Sequence, residues 1–330
     1  KRDNDFVLAD YFDYVAGTST GAIIATCISL GMRVEQIRQF YINSGPAMFD
    51  KASFLRRFRY KFEDERLIAQ LQEVIVADTT LGSDKLKTLL MMVMRNATTD
   101  SPWPISNNPA AKYNDLAKYG DRCNLKLPLW QLVRASTAAP TYFPPEVIAV
   151  GEHQFTFVDG GITMYNNPAF QLFLMATTAP YKLCWETGED KMLLISIGTG
   201  TSPQANDDLA PNEMNLLYNA GSIPSALMFA ALNEQDVLCR TFGKCLVGDP
   251  IDRELGDLIG GCTPLTTKLF TYARYNAELS YEGLAALGLS GIEPEDVQKL
   301  DSVDHIEELQ QVGQAVARKV SLNHFAGFLQ

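Results

Sequence analysis

Histidine is scarce in this 330-residue chain, which holds three, at positions 153, 305 and 324. A mechanism built on a histidine base therefore has three residues to draw on. Positive charge is also short: 28 Lys and Arg stand against 39 Asp and Glu, for a net charge of −11. A net charge of that sign disfavours nonspecific binding to nucleic acid, which needs a basic face. No run of about 18 apolar residues occurs, so no transmembrane helix is expected, and no signal-peptide pattern is visible. Six cysteines, at 27, 123, 184, 239, 245 and 262, form no C-x-x-C, and no histidine stands close enough to complete a zinc pattern. Scattered thiols of this kind fit a reducing, cytoplasmic compartment, and nothing argues for a Cys239–Cys245 disulfide. Repeats and low-complexity tracts are lacking. What is present is an ordinary globular composition, 46% hydrophobic and 20% charged, in a chain long enough to bury a large core.

Short apolar segments alternate with helical periodicity. Residues 11–16 read as a strand and 22–30 as a buried helix with Gly31 as its cap. Residues 33–43 and 64–76 carry helical spacing. Leu89 to Met94 reads as a strand, followed by a Pro-rich loop from Asn96 to Asn114. Leu129 to Ala138 suits a helix, stopped by Ala139-Pro140. Phe155 to Val158 and Leu193 to Ile197 read as strands, each ending in a Gly-rich turn. Ile306, Leu309, Val312, Val316 and Val320 mark a late amphipathic helix. The alternation predicts an α/β class with a mainly parallel central sheet between helical layers. No linker is evident, so a single domain over 1–330 is expected, with 204–330 its more helical portion.

Gly17-Thr18-Ser19-Thr20-Gly21 is a G-x-S-x-G between the first strand and the first helix. That context suits a nucleophilic serine on a strained strand-to-helix turn. Gly17 and Gly21 relieve steric crowding, and the helix N-terminus at Thr20 offers backbone N–H groups to an oxyanion. The alternative is a capped Gly-rich turn with no chemistry. A serine hydroxyl needs a base. His153 precedes its strand at the wrong end, and no motif supports His305 or His324. Asp159, with Gly160 and Gly161 leaving room beside it, ends a strand expected to finish on the Ser19 side of the sheet. Read without further context, it is better explained as a turn cap, the usual role of an Asp-Gly pair.

Several ordered segments together resemble the patatin-like phospholipases, a family of lipid acyl hydrolases. Residues 14–21 match that family's nucleophile segment, Asp159-Gly160-Gly161 its D-G-G/A segment, and Asn166-Asn167-Pro168 follows as in patatins. Residues 135–145 resemble the segment before that strand, and Ser196-Ile197-Gly198-Thr199-Gly200 a later strand and loop. The resemblance implies a three-layer α/β/α fold, a Ser19–Asp159 dyad, phospholipid or other glycerolipid esters as substrate, and neither metal nor organic cofactor. Patatins also carry a D-G-G-G-x-R-G oxyanion loop upstream of the nucleophile, which these 330 residues do not contain. The expectation is therefore a domain lacking its first strand and that loop, with Thr20 N–H the one assignable oxyanion donor. Some bacterial members are defence effectors switched on by cyclic nucleotides, a role compatible with this chain. The residues leave two other readings open: a Ser-His-Asp carboxylesterase acting on soluble esters, and a non-catalytic or gated binding protein.

A lipid substrate requires interfacial contact. Residues 51–62 form the one concentrated basic stretch, with Arg56, Arg57, Phe58 and Arg59 at its centre. Aromatics interleaved with cations suit peripheral contact with an anionic membrane surface; the same pattern suits a helix or loop with its aromatics packed inward.

Overall fold

The computed structural model describes residues 5–48, 65–201, 216–299 and 301–329. Their contacts divide into two compact units, Lys1–Cys184 and Trp185–Gln330. The mixed α/β class expected from the alternation is what both contain.

The first unit runs β1 (Tyr14–Thr18), α1 (Thr20–Ser29), α2 (Val34–Met48), α3 (Glu65–Ile75), β2 (Leu89–Asn96), β3 (Ser101–Ser106), α4 (Leu116–Tyr119), α5 (Leu129–Ser136), β4 (Glu146–Val150), β5 (His153–Asp159) and α6 (Ala169–Thr177). Strand β2 is its centre, and Leu90 to Met94 are 0% exposed. Side chains alternate across a strand, so two faces must be covered. Leu90, Met92 and Met94 enter one core with Ile23 of α1, Leu71 of α3 and Leu132 of α5. Tyr14 pairs with Leu89 and so shares the face of Met91 and Val93. Its hydroxyl bonds Ser106 Oγ at 2.6 Å and lies 4.0 Å from Met175 Sδ of α6. Each fully buried side chain of this size contributes about 1.5–3 kcal/mol.

Register fixes how the sheet presents its strand ends. β1 lies parallel to β2 over Leu89 to Val93, and β5 lies antiparallel to β2 over Met94 to Asn96. β3 pairs antiparallel with Met91 to Asn96, overlapping both. A strand has two edges, so β1 and β5 share one edge of β2 and run toward each other. Their last residues, Thr18 and Asp159, stand opposite consecutive β2 residues, Val93 and Met94. Asp159 thus ends its strand on the Ser19 side, as expected, but on a strand that runs against β1 instead of with it. The strands meet end to end, because the β4–β5 hairpin brings β5 back in the opposite sense.

Strand β3 was expected to be loop, because it contains Pro102 and Pro104. It occupies a sheet edge, where proline is tolerated, and the two-residue spacing turns both missing donors to the same side.

The second unit holds β6 (Leu193–Ile197), α7 (Leu216–Phe242), β7 (Lys244–Val247), β8 (Thr271–Tyr275), α8 (Tyr281–Ala286), α9 (Pro294–Gln298) and α10 (Ile306–Ala317). Its three strands are parallel in the order β6-β8-β7, and every residue of β8 is buried. Arg240 and Asp236, one turn apart on α7, form a buried ion pair at 2.7 Å. Tyr272 of β8 donates to Asp236 at 2.8 Å, and Arg240 donates to the carbonyls of Asp249 and Asp257. Cys239 and Cys245 are both buried and free.

Candidate active site

The turn between β1 and α1 places Ser19 at φ 56° and ψ −125°, a strained region for a residue with a Cβ. Gly17 makes the turn possible: a Cβ there would lie 1.9 Å from the Gly21 carbonyl oxygen. Gly21 itself has a different role from the one expected. A Cβ at Gly21 meets nothing within 4 Å among the described residues, so only its backbone crowds the turn. The half-buried Tyr41 donates its hydroxyl to the Thr20 carbonyl at 3.0 Å and fixes the first turn of α1. In that turn the Ala22 N–H donates to the Ser19 carbonyl at 2.8 Å, while the Thr20 and Gly21 N–H groups precede the first intrahelical bond.

The Ser19 hydroxyl donates to Asp159 Oδ2 at 2.5 Å. Asp159 is 5% exposed, and its Oδ1 accepts the Gly161 N–H at 2.6 Å. Gly160 allows the approach, since a Cβ there would lie 2.3 Å from the Val93 carbonyl oxygen and 3.0 Å from Thr18 Cγ2. Burial pushes the Asp159 carboxyl up to about 6, against the hydrogen bonds from Ser19 and Gly161 and the charge of Arg134, which lower it. Ser19 is half-buried, so its hydroxyl can meet a ligand. The arrangement is a nucleophile candidate hydrogen-bonded to a carboxylate poised near neutral pH.

Three contributors escaped the sequence reading. Ser136 Oγ accepts the Ser19 N–H at 3.0 Å, Arg134 is 0% exposed on the same helix, and the Tyr165 carbonyl accepts from Thr18 Oγ1 at 2.7 Å. Ser136 falls in the segment that resembles the family, yet no periodicity or spacing distinguishes it from the neighbouring hydroxyls. His153 is exposed at the start of β5. His305 faces Asp296 and Glu308, and His324 Nδ1 pairs with the Tyr275 hydroxyl at 2.7 Å. Arg56, Arg57, Phe58 and Arg59 lie outside the described residues. Among the described residues, no cluster of His, Cys, Asp and Glu could hold a metal ion, and no helix is long and apolar enough to cross a membrane.

Residues 5–173 match the family model of the patatin-like phospholipases. The chain belongs to that family. Both Ser19 and Asp159 fall within the matched span, which ends inside α6. Patatin-01 of Solanum tuberosum is 30% identical over 227 residues, covering 62% of this chain and 54% of the relative. Patatin group D-2 is 29% identical over 225 residues, with the same coverage, and Patatin-1-Kuras 2 is 30% identical over 227 residues, covering 62% and 56%; both are from the same plant. The chain spans about half the length of the curated relatives it matches. None of the matched span reaches the second unit.

Proposed function

We propose that this patatin-like protein is a lipid acyl hydrolase of the phospholipase A type, working through a Ser19–Asp159 dyad. The observation that carries the proposal is the 2.5 Å hydrogen bond from Ser19 Oγ to Asp159 Oδ2. Asp159 takes the hydroxyl proton as Ser19 Oγ attacks the ester carbonyl carbon of a glycerolipid. The tetrahedral intermediate collapses, the lysolipid oxygen leaves with the proton from Asp159, and an acyl-enzyme remains. Water, deprotonated by the same carboxylate, then releases the fatty acid and regenerates Ser19. Thr20 N–H is the assigned oxyanion donor. Further donors are proposed to come from a D-G-G-G-x-R-G loop, which these 330 residues do not contain. Loss of one such donor costs roughly 100- to 1,000-fold in rate.

Ile162 and Met164, exposed just beyond Gly161, supply apolar surface beside the dyad and favour an acyl-chain substrate. Peripheral membrane contact through Arg56, Arg57, Phe58 and Arg59 belongs to the same proposal. The histidine partners described above disfavour a Ser-His-Asp enzyme: His305→Ala and His324→Ala are expected to be silent. Ser19→Ala and Asp159→Asn are expected to abolish fatty-acid release from phospholipid vesicles by the full protein. Full activity in either variant would overturn the dyad. Assays with and without a panel of cyclic dinucleotides test the defence-effector role.

A further inference from the structure

We propose that Ser136 is a positioning residue for the nucleophile, and that the segment Ser136-Thr137-Ala138 sets the spacing between Ser19 and Asp159; this rests on the dyad reading above. Ser136 closes α5 and is 0% exposed. Its hydroxyl donates to the Val93 carbonyl at 2.6 Å and accepts the Ser19 N–H at 3.0 Å. Two residues on, the Ala138 carbonyl accepts the Asp159 N–H at 2.9 Å. One short segment therefore grips the backbone N–H of both members of the pair. Val93 is the β2 residue opposite Thr18, and Met94, opposite Asp159, comes next. The grip is thus anchored where the two strand ends meet.

The strained backbone of Ser19 gives this contact its importance. Ser19 stands at φ 56° between the last residue of β1 and the first of α1, and its N–H donates to a side-chain acceptor, Ser136 Oγ. A residue in such a conformation persists only where its surroundings over-determine it. Removal of the Ser136 hydroxyl leaves β1 and α1 intact and frees the Ser19 backbone to rotate, which moves Oγ relative to Asp159 Oδ2. The same contact occupies the Ser19 N–H, so the oxyanion falls to the Thr20 N–H and beyond.

The test uses the full protein, a fluorophosphonate that labels the active serine, and a p-nitrophenyl acyl ester. Ser136→Ala is expected to lower kcat and the labelling rate per labelled site by about 10- to 100-fold, with KM changed by less than about threefold. A purely structural role would lower the labelled fraction and leave the rate per labelled site at the wild-type value. Ser136→Thr keeps the hydroxyl and is expected to recover most of the rate per labelled site. An unchanged rate per labelled site in Ser136→Ala, or a Ser136→Thr enzyme as slow as Ser136→Ala, would overturn the proposal. Ser19→Ala and Asp159→Asn run alongside. If they stay active, the dyad fails and this inference with it; if they are inactive while Ser136→Ala is fully active, the dyad stands and this inference alone fails.

Discussion

Burial pushes the Asp159 carboxyl up to about 6 from an ordinary 3.8, so the folded state binds this proton more tightly than the unfolded chain. Its contribution to folding is greatest below pH 3.8 and is lost as pH rises through 6, which amounts to about 3 kcal/mol against the ionised form. Activity has the opposite dependence, since only the carboxylate can accept the Ser19 proton. kcat/KM is expected to rise tenfold per pH unit below about pH 6 and to level off above it, as a pH–rate profile on a soluble ester would record. Asp159→Asn keeps an oxygen for the Gly161 N–H and removes the buried charge. It is expected to raise stability at pH 7.5 by roughly 1–3 kcal/mol, to do less at pH 4.5, and to abolish activity, read by thermal melts at both pH values. The glycines of the turn separate in the same way. Gly17→Ala forces a Cβ to 1.9 Å from backbone and is expected to unfold or inactivate the protein, whereas Gly21→Ala, with open space and a helical position, is expected to fold with stability unchanged or raised by up to about 1 kcal/mol. Circular dichroism of the two variants is sufficient to distinguish them.

Elements whose apolar pattern is local were legible in the sequence: α1, α3, α5, β2 and β6 all stand where periodicity or a continuous apolar run put them. Strand β3 was not, because its prolines are read against an interior strand and nothing in the sequence says that it will lie at an edge. Strand β8 was missed although every residue of it is buried, because Thr271-Tyr272-Ala273-Arg274-Tyr275 alternates in neither hydropathy nor size. Its polar groups are satisfied by residues distant in sequence: Tyr272 by Asp236 at 2.8 Å and Arg274 by Ser196 at 2.8 Å. The candidate pair at Ser19 and Asp159 was legible from motif and Gly context, while its head-to-head strand geometry depended on register, which no local pattern encodes. Helix α7 illustrates the energetic side of such buried polar contacts. Asp236→Ala would strand Arg240, whose side chain is 1% exposed, without its carboxylate. It is expected to destabilise the protein by about 3–5 kcal/mol, while Asp236→Ala combined with Arg240→Met recovers much of the loss. Chemical denaturation of the single and double variants measures both.

At the scale of the whole molecule, net charge and the proposed lipid chemistry pull against each other. A chain of net charge −11 is repelled by an anionic bilayer, with a range of about 8 Å at physiological salt. Among the described residues, no helix is long and apolar enough to cross a membrane. Residues 51–62 hold Lys51, Arg56, Arg57, Arg59 and Lys61 with no acidic residue among them, interleaved with Phe54, Phe58, Tyr60 and Phe62, a pattern on which the proposed membrane contact rests. Cations near such a surface contribute about 1 kcal/mol each, so replacing Arg56, Arg57 and Arg59 together by Gln is expected to weaken binding to vesicles rich in anionic lipid by about 100-fold. The same triple variant is expected to hydrolyse a soluble p-nitrophenyl ester at the wild-type rate, because Ser19, Asp159 and Ser136 are untouched. Raising salt from 0.05 to 0.5 M is expected to weaken wild-type binding and leave the triple variant nearly unaffected. Vesicle co-sedimentation and ester hydrolysis, measured on the same preparations, separate the two effects. Equal binding of both proteins to anionic vesicles would remove residues 51–62 from the membrane contact and leave the apolar pair Ile162 and Met164 to carry it.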